Sequence, residues 1–298
     1  MLEDLDRLPP PAADQLTPAA RRATSEETLP ALWGELESVA AIEDIAIAAG
    51  ASPLRTRLYR PRDAGGTVFF LHGGGWALGS LDTHDGACRM LANRAACNIV
   101  SLEYRKSPEH PFPAAINDVD AGLDWLIAEG AGLSLDTRKI VVAGESAGAN
   151  LAAVLARHAR DRHIELAGQV LIYPVTDTAM DTASYRSFAE GFYLTAESMR
   201  WFAEQYFAEG AHVSHPDAAP LHARGLERLA PALVMTAAFD PLRDEGRAYA
   251  ARLVEAGNDV TYVEWPGVVH GFWLMNAITP ATGEAIGFAA GWIKNRLS

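Results

Sequence analysis

Short apolar runs recur along this chain, and they constrain its fold more than any other feature. They are TVFFLH (67–72), NIVSLEY (98–104), KIVVAGE (139–145), GQVLIYP (168–174), ALVMTAAFD (232–240) and DVTYVEW (259–265). Such runs are typical of strands buried on both faces of a parallel sheet. Helical patterns lie between or after them, at about 83–95, 113–130, 147–162, 244–257 and 281–296. This alternation predicts an α/β domain with a mostly parallel central sheet and helices on both faces.

Composition limits the partners of the protein. Its formal net charge of −13 argues against nucleic acid and anionic membrane surfaces. No apolar run approaches the roughly 18 residues of a membrane span, and the N-terminus lacks a secretory signal, so we expect a cytoplasmic protein. Cys88 and Cys97 are expected to be buried reduced thiols, with a disulfide as the alternative. No Cys/His cluster has zinc spacing, so we expect no metal.

Two stretches interrupt the alternation of strands and helices. Residues 1–45 are punctuated by prolines, and residues 176–222 hold aromatic-rich helical sequence before the next strand. Connections in α/β units normally need only one helix, so the second stretch is an insertion. We expect the two stretches to pack together as a helical cap over one end of the sheet. The core would then comprise residues 46–175 and 223–298.

The segment GESAG (144–148) fits the pattern G-x-S-x-G at a strand-to-helix turn. An apolar run precedes Ser146 and an alanine-rich helical run follows it, which is the context that a nucleophile elbow requires. The glycines on either side would allow strand and helix to pack closely while the turn exposes the serine hydroxyl. The alternative is that the glycines merely close a turn. The flanking strand and helix favour a nucleophilic serine.

A glycine-rich loop, LHGGGWALG (71–79), follows an earlier strand. On its own it would be interpreted as a flexible loop. Upstream of a nucleophile elbow, it stands where backbone N–H donors for a tetrahedral oxyanion are supplied. The expected donors are the N–H groups of Gly73, Gly74 and Ala147, each worth about 3 kcal/mol in the transition state. We interpret His72 as a structural anchor of this loop.

A nucleophilic serine needs a general base, and that base needs an orienting acid. His270 follows the last apolar strand and precedes the last helix, so it should reach the carboxyl edge of the sheet. Asp240 ends the preceding strand, at the same edge. Asp244 and Glu245 are expected in the first turn of the next helix. The chain order is therefore Ser146, Asp240, His270.

Five motifs together resemble the hormone-sensitive-lipase family of microbial carboxylesterases, which has the α/β-hydrolase fold. They are HGGGW, EYRKSPEHPFPAA, GESAGANLAA, DPLRDEG and HGF, within about residues 65–275. The resemblance implies an esterase without a cofactor, usually acting on short acyl chains, with a helical cap and with the triad and oxyanion donors named above. It also makes a homodimer an expectation.

The sequence departs from the family pattern at two positions. Glu145 replaces the usual aspartate before the serine, and Ala149 replaces a glycine after it. The first change bears on the hydrogen bonds that brace the elbow, and the second should be mild inside a helix. In the proline-rich stretch 103–115, Arg105 and Glu109 are expected to form a structural pair.

The predicted reaction is hydrolysis of an uncharged or weakly polar carboxylic ester through an acyl-serine. The aromatic residues expected to line the substrate pocket are Trp76, Phe192, Tyr193, Trp201, Phe202, Phe272 and Trp273. One alternative is an amidase or peptidase, because the same triad serves both chemistries. Another is a non-catalytic small-molecule receptor on the same fold, although such a protein would be expected to lose a triad member.

Overall fold

A computed structural model describes residues 17–48, 52–207 and 215–298. Its strands are β1 (Ala41–Ile47), β2 (Leu54–Arg60), β3 (Thr67–Leu71), β4 (Asn98–Leu102), β5 (Ile140–Glu145), β6 (Gly168–Ile172), β7 (Ala232–Phe239) and β8 (Val260–Val269). Its α-helices are α1 (Pro18–Trp33), α2 (Asp85–Ala95), α3 (Ala114–Glu129), α4 (Ala147–Asp161), α5 (Ala183–Ser187), α6 (Ala196–Tyr206), α7 (Arg243–Glu255) and α8 (Ala281–Leu297). The predicted strands and helices therefore lie within a few residues of their expected bounds.

The strands form one sheet in the order β1-β2-β4-β3-β5-β6-β7-β8. β1 and β2 are antiparallel to their neighbours, whereas β4, β3, β5, β6, β7 and β8 run parallel. Parallel strands need crossover connections, and helices supply them here. The predicted fold class, a mostly parallel sheet with helices on both faces, is confirmed.

Successive residues of the central strands bury against opposite helical layers, as the two-residue period of a strand requires. Phe69 and Val142 pack with α3, α4 and α7. Val68 and Val141, their neighbours in sequence, pack with α2 and α8. Burial on both faces explains why these strands appear in the sequence as continuous apolar runs. The two cysteines are free and buried in the α2 layer.

The stretches predicted to form a cap contain α1 on one side and α5 and α6 on the other. Strand β1 begins at Ala41 and so crosses the predicted boundary after residue 45. Residues 1–16 of the predicted N-terminal cap segment and 208–214 of the insertion lie outside the described residues. Among the helices that the structure describes, none is both long and apolar enough to cross a membrane.

The expected Arg105–Glu109 pair is not formed. Arg105 instead binds the buried carboxylate of Asp118 on α3, with 2.7 Å between Nη2 and Oδ1. Glu109 pairs with Arg22 of α1, at 2.8 Å between Nη1 and Oε1. The Arg22 guanidinium also donates to the carbonyls of Ala77 and Ser107, both at 2.7 Å. The proline-rich stretch therefore holds α1 against the glycine loop.

His158 on α4 lies between two carboxylates. Its Nδ1 is 2.8 Å from Oδ2 of Asp120 on α3, and its Nε2 is 3.1 Å from Oδ1 of Asp217. Hydrogen bonds to these two carboxylates raise the pKa of His158 from 6.5 to about 9. The charged imidazole thus joins helices α3 and α4 to Asp217, near the end of the insertion.

We expect this cluster to stabilise the protein in a pH-dependent way. Because the pKa of His158 is higher in the folded chain, its contribution is fully present below about pH 6.5 and is lost as pH rises through about 9. His158→Asn should therefore lower the melting temperature by about 3 °C more at pH 6 than at pH 10. Thermal melts across this range test the prediction, with the exposed His163→Asn as the control. An equal loss at both pH values would contradict it.

Candidate active site

Ser146 occupies a strained turn between β5 and α4. Its φ of 54° and ψ of −121° lie outside the regions that non-glycine residues favour. The turn is held from both sides, because the Ser146 N–H donates to the carbonyl of Ile172 and the Ser146 carbonyl accepts from Asn150. Helix α4 begins at the next residue, so its first N–H groups lack carbonyl partners within the helix. The arrangement presents the serine hydroxyl beside free backbone donors.

The two glycines of GESAG are required by close packing against β3. A Cβ at Gly148 would overlap the carbonyl oxygen of Leu71, the last residue of that strand. A Cβ at Gly144 would overlap the backbone of Gly148 itself. Any side chain at either position would therefore push α4 away from the sheet.

Substitution of Gly148 tests this packing. Gly148→Ala is expected to destabilise the protein by about 3 kcal/mol, because the obstructing atoms belong to the backbone and cannot rotate away. The matched control is Gly291→Ala in α8, where a new Cβ meets nothing within 4 Å. That control should be neutral or stabilising, since alanine favours helices. Denaturant unfolding measures both, and equal stability of the two variants would contradict the account.

Ser146, His270 and Asp240 form a hydrogen-bonded chain at the carboxyl edge of the sheet. Nε2 of His270 lies 3.0 Å from Oγ of Ser146, and Nδ1 lies 2.7 Å from Oδ2 of Asp240. The other carboxylate oxygen of Asp240 accepts from the Leu242 N–H at 2.8 Å. All three side chains are buried, and Asp240 is fully excluded from solvent. Ser146, Asp240 and His270 directly follow strands β5, β7 and β8, so they lie at one edge of the sheet.

The glycine loop corrects one predicted oxyanion donor. The N–H of Gly73 is directed at Nε2 of His84, 3.3 Å away, and so does not point toward the serine. Gly74 and Gly75 line the cavity that contains Ser146. Both have positive φ, 100° and 59°, a conformation that glycine adopts without strain. The loop therefore offers its second and third glycines, not its first and second.

His72 has the structural role expected of it. It is fully buried, its ring stacks on Tyr104 with centroids 4.3 Å apart, and its Nδ1 lies 2.8 Å from the carbonyl of Gly73. Burial holds the pKa of His72 well below its usual value. A neutral, stacked imidazole fixes the start of the glycine loop.

Glu145 and His84 form a buried contact that the sequence did not reveal. Oε1 of Glu145 lies 2.8 Å from Nε2 of His84, and their exposed fractions are 3% and 1%. Burial raises the pKa of the Glu145 carboxyl, but hydrogen bonding and the charge of His84 outweigh it, so the net shift is downward. The sequence carries only a weak signal for this pair, because the two residues are 61 positions apart.

A cavity of about 190 Å³ opens onto Ser146 and His270. Its wall includes Trp76, Tyr193 and Phe202, three of the aromatic residues predicted to line a pocket. Helices α1 and α6 both contribute side chains to this wall. The two interruptions of the strand–helix alternation thus meet over the serine.

The other four predicted pocket residues do not line the cavity. Phe272 and Trp273 are fully buried in the core with α8. Phe192 stacks on Phe239 with centroids 5.6 Å apart. Trp201 packs beneath the guanidinium of Arg21 on α1, 4.0 Å from its ring centroid. These four aromatic side chains pack against other side chains, whereas their sequence neighbours Tyr193, Phe202 and Leu274 line the cavity.

Comparison with known proteins agrees with this geometry. A family model described as an α/β hydrolase fold matches residues 68–274, which is most of the chain. The chain belongs to the hormone-sensitive-lipase-like family of α/β hydrolases. The family assignment thus rests on more than the five motifs.

Relatives and solved structures of this family resemble the chain over most of its length. The carboxylic ester hydrolase LipN of Mycobacterium tuberculosis is 39% identical over 83% of this chain and 67% of the relative. An ethyl acetate hydrolase of Pseudomonas putida is 35% identical over 89% and 86%. The structure of a Pyrobaculum calidifontis esterase superposes with a TM-score of 0.93 at 40% identity, covering 99% of this chain and 97% of the other.

Proposed function

We propose that this protein is a serine carboxylesterase that hydrolyses short- to medium-chain carboxylic esters through an acyl-enzyme. The observation that carries the proposal is the hydrogen-bonded chain from Ser146 through His270 to Asp240, with the serine open to a cavity. The names of its relatives, among them a carboxylic ester hydrolase and an ethyl acetate hydrolase, support the same reaction class.

In the first step, Oγ of Ser146 attacks the ester carbonyl while its proton passes to Nε2 of His270. The 3.0 Å separation of these atoms suits that transfer. Asp240 accepts the Nδ1 hydrogen and stabilises the imidazolium that forms. His270 then protonates the departing alkoxide, and the alcohol leaves an acyl-Ser146.

Backbone N–H groups would stabilise the negative oxygen of the tetrahedral intermediate. Ala147 offers the first N–H of α4, and Gly74 and Gly75 line the cavity that contains Ser146. Each well-placed donor is worth about 3 kcal/mol in the transition state. We therefore assign the oxyanion hole to Gly74, Gly75 and Ala147.

The second step releases the acid. A water molecule in the site of the departed alcohol loses a proton to Nε2 of His270 and attacks the acyl carbonyl. Collapse of the second tetrahedral intermediate returns that proton to Ser146. These chain residues account for every proton transfer.

The cavity supports a small and weakly polar substrate. Its side chains include Leu78, Val175, Leu194 and Leu274, which favour an uncharged ester. Its volume of about 190 Å³ is below the roughly 300–1,000 Å³ of pockets for drug-sized ligands. We therefore expect short acyl chains to react fastest.

A series of p-nitrophenyl esters with increasing acyl length, assayed beside the butyryl anilide, tests the proposal. We expect kcat/KM to be greatest for short to medium chains, to fall for long ones, and to exceed that of the anilide by at least about 100-fold. A preference for the anilide would indicate an amidase. No turnover of any ester would indicate a receptor, and either result would contradict the proposal.

A further inference from the structure

The His84–Glu145 contact joins the nucleophile elbow to the glycine loop. Glu145 immediately precedes Ser146, and its Oε1 lies 2.8 Å from Nε2 of His84. A Cβ at Gly73 would overlap that same carboxylate, so the first glycine of the loop packs directly on it. The N–H of Gly73 is also directed at the His84 ring. Both partners therefore touch the backbone that precedes Gly74.

Both ring nitrogens of His84 have hydrogen-bond partners. Nδ1 lies 2.8 Å from Oγ1 of Thr83, which itself donates to the carbonyl of Ser80 at 3.0 Å. Nε2 lies 2.8 Å from Oε1 of Glu145. The lowered pKa of Glu145 keeps that side chain a carboxylate. The ring thus links the Glu145 carboxylate to the turn at Ser80 and Thr83.

Both side chains line the cavity beside Ser146. An ionised Glu145 without its partner would oppose the negative charge that develops on the substrate oxygen. With His84 in place, the Glu145 carboxylate is held against the glycine loop. Its length also suits the site, since the side chain of Glu145 reaches over Gly73 to the ring.

The contact continues outward to α1. The same Thr83 hydroxyl accepts from the Ser80 N–H at 2.8 Å, and the Ser80 hydroxyl donates to Glu26 of α1 at 2.8 Å. The turn that carries His84 is therefore fixed from both the cavity side and the helix side. Such a supported ring can hold the glycine loop in one position.

We propose that His84 and Glu145 are positioning residues that act as one unit to hold Gly74 and Gly75 in oxyanion-binding geometry. The proposal rests on the esterase function proposed above. It assigns a role to the acidic residue before the serine and to a histidine outside the triad.

The test is a double-mutant cycle of Glu145→Gln and His84→Asn. Glu145→Gln keeps the side-chain volume, His84→Asn keeps a smaller polar side chain, and each removes one side of the contact. We expect kcat/KM for p-nitrophenyl butyrate to fall about 30-fold in each single variant, with KM within about twofold of wild type. The double variant should lose little more than the worse single variant, because the two residues serve one contact. Each rate is divided by the concentration of active sites, which is measured by titration with a p-nitrophenyl phosphonate.

A second measurement separates oxyanion positioning from general loosening of the site. A trifluoromethyl ketone forms a tetrahedral oxyanion on Ser146, whereas the matching secondary alcohol only fills the cavity. In both variants the ketone affinity should fall in parallel with kcat/KM, and the alcohol affinity should stay within about twofold. The control is Glu264→Gln on the edge strand β8. It removes an ion pair with Arg247 of α7 and should match wild type.

Variants within about twofold of wild type would overturn the inference, as would an unchanged ketone affinity beside a large loss of kcat/KM. Additive losses in the double variant would also overturn the single-unit claim. If His84→Asn does not fold, Glu145→Gln alone still tests the proposal, because its ketone affinity either falls with kcat/KM or stays unchanged. Wild-type protein that neither hydrolyses esters nor binds the ketone would instead overturn the proposed function.

Discussion

Replacing Ser146 with alanine is expected to lower kcat/KM for p-nitrophenyl butyrate by at least about 10⁴-fold. The substitution removes the atom that would bond to the substrate, and no other hydroxyl of the described residues hydrogen-bonds to His270. The fold should persist, because the strained turn is held by backbone hydrogen bonds and by the packing of Gly144 and Gly148. Activity assays and thermal melts measure the two effects separately.

Another serine provides the matched control. Ser198 on α6 lines the same cavity but lies outside the chain of hydrogen bonds to Asp240. Ser198→Ala should keep activity within a few-fold of wild type. If Ser146→Ala retains activity within a few-fold of wild type, the assignment of the nucleophile is wrong.

Asp240→Asn should cost about 10³- to 10⁴-fold in kcat with little change in stability. The carboxamide can still accept from the Leu242 N–H through its oxygen. It then presents an NH₂ group to Nδ1 of His270, where the carboxylate now accepts at 2.7 Å. The neutral imidazole must then accept at Nδ1, so its proton lies on Nε2. Nε2 can then no longer take the proton of Ser146.

The matched control for this variant is Asp244→Asn, four residues along the chain. The Asp244 carboxylate accepts a hydrogen bond from the Ser184 N–H at 2.8 Å. Its loss should leave kcat within about threefold of wild type, since it does not touch His270. Steady-state kinetics of both variants test the assignment. A kcat for Asp240→Asn above about one tenth of wild type would contradict it.

Much of the architecture could be predicted because it depends on local pattern. Strands buried on both faces are continuous apolar runs, and the carboxyl ends of parallel strands meet at one edge. Ser146 and Asp240 follow strands of this kind, and His270 follows the half-buried edge strand β8. Their position in chain order therefore predicted that the three residues meet. The strained turn at Ser146 likewise follows from two glycines whose Cβ atoms would overlap backbone.

Contacts between distant loops could not be predicted in the same way. The N–H of Gly73 is directed at the ring of His84, 11 residues along the chain. The carboxylate of Glu145 contacts the same ring from 61 residues away. Pairing of Arg105 with Asp118 depends on how a proline-rich loop meets α3. Aromatic residues are equally suited to core and pocket, so type alone did not separate Phe272 from Phe202. Such partners are set by tertiary packing, which leaves no periodic signal in the sequence.

The most direct test of Ser146 as the nucleophile is covalent trapping with a fluorophosphonate followed by peptide mass spectrometry. Attack by Oγ on phosphorus expels fluoride and leaves a phosphonyl group on the serine. We predict one adduct per chain, located on Ser146, full labelling of Ser198→Ala and no labelling of Ser146→Ala. An adduct on a different residue, or none on the wild-type protein, would contradict the account.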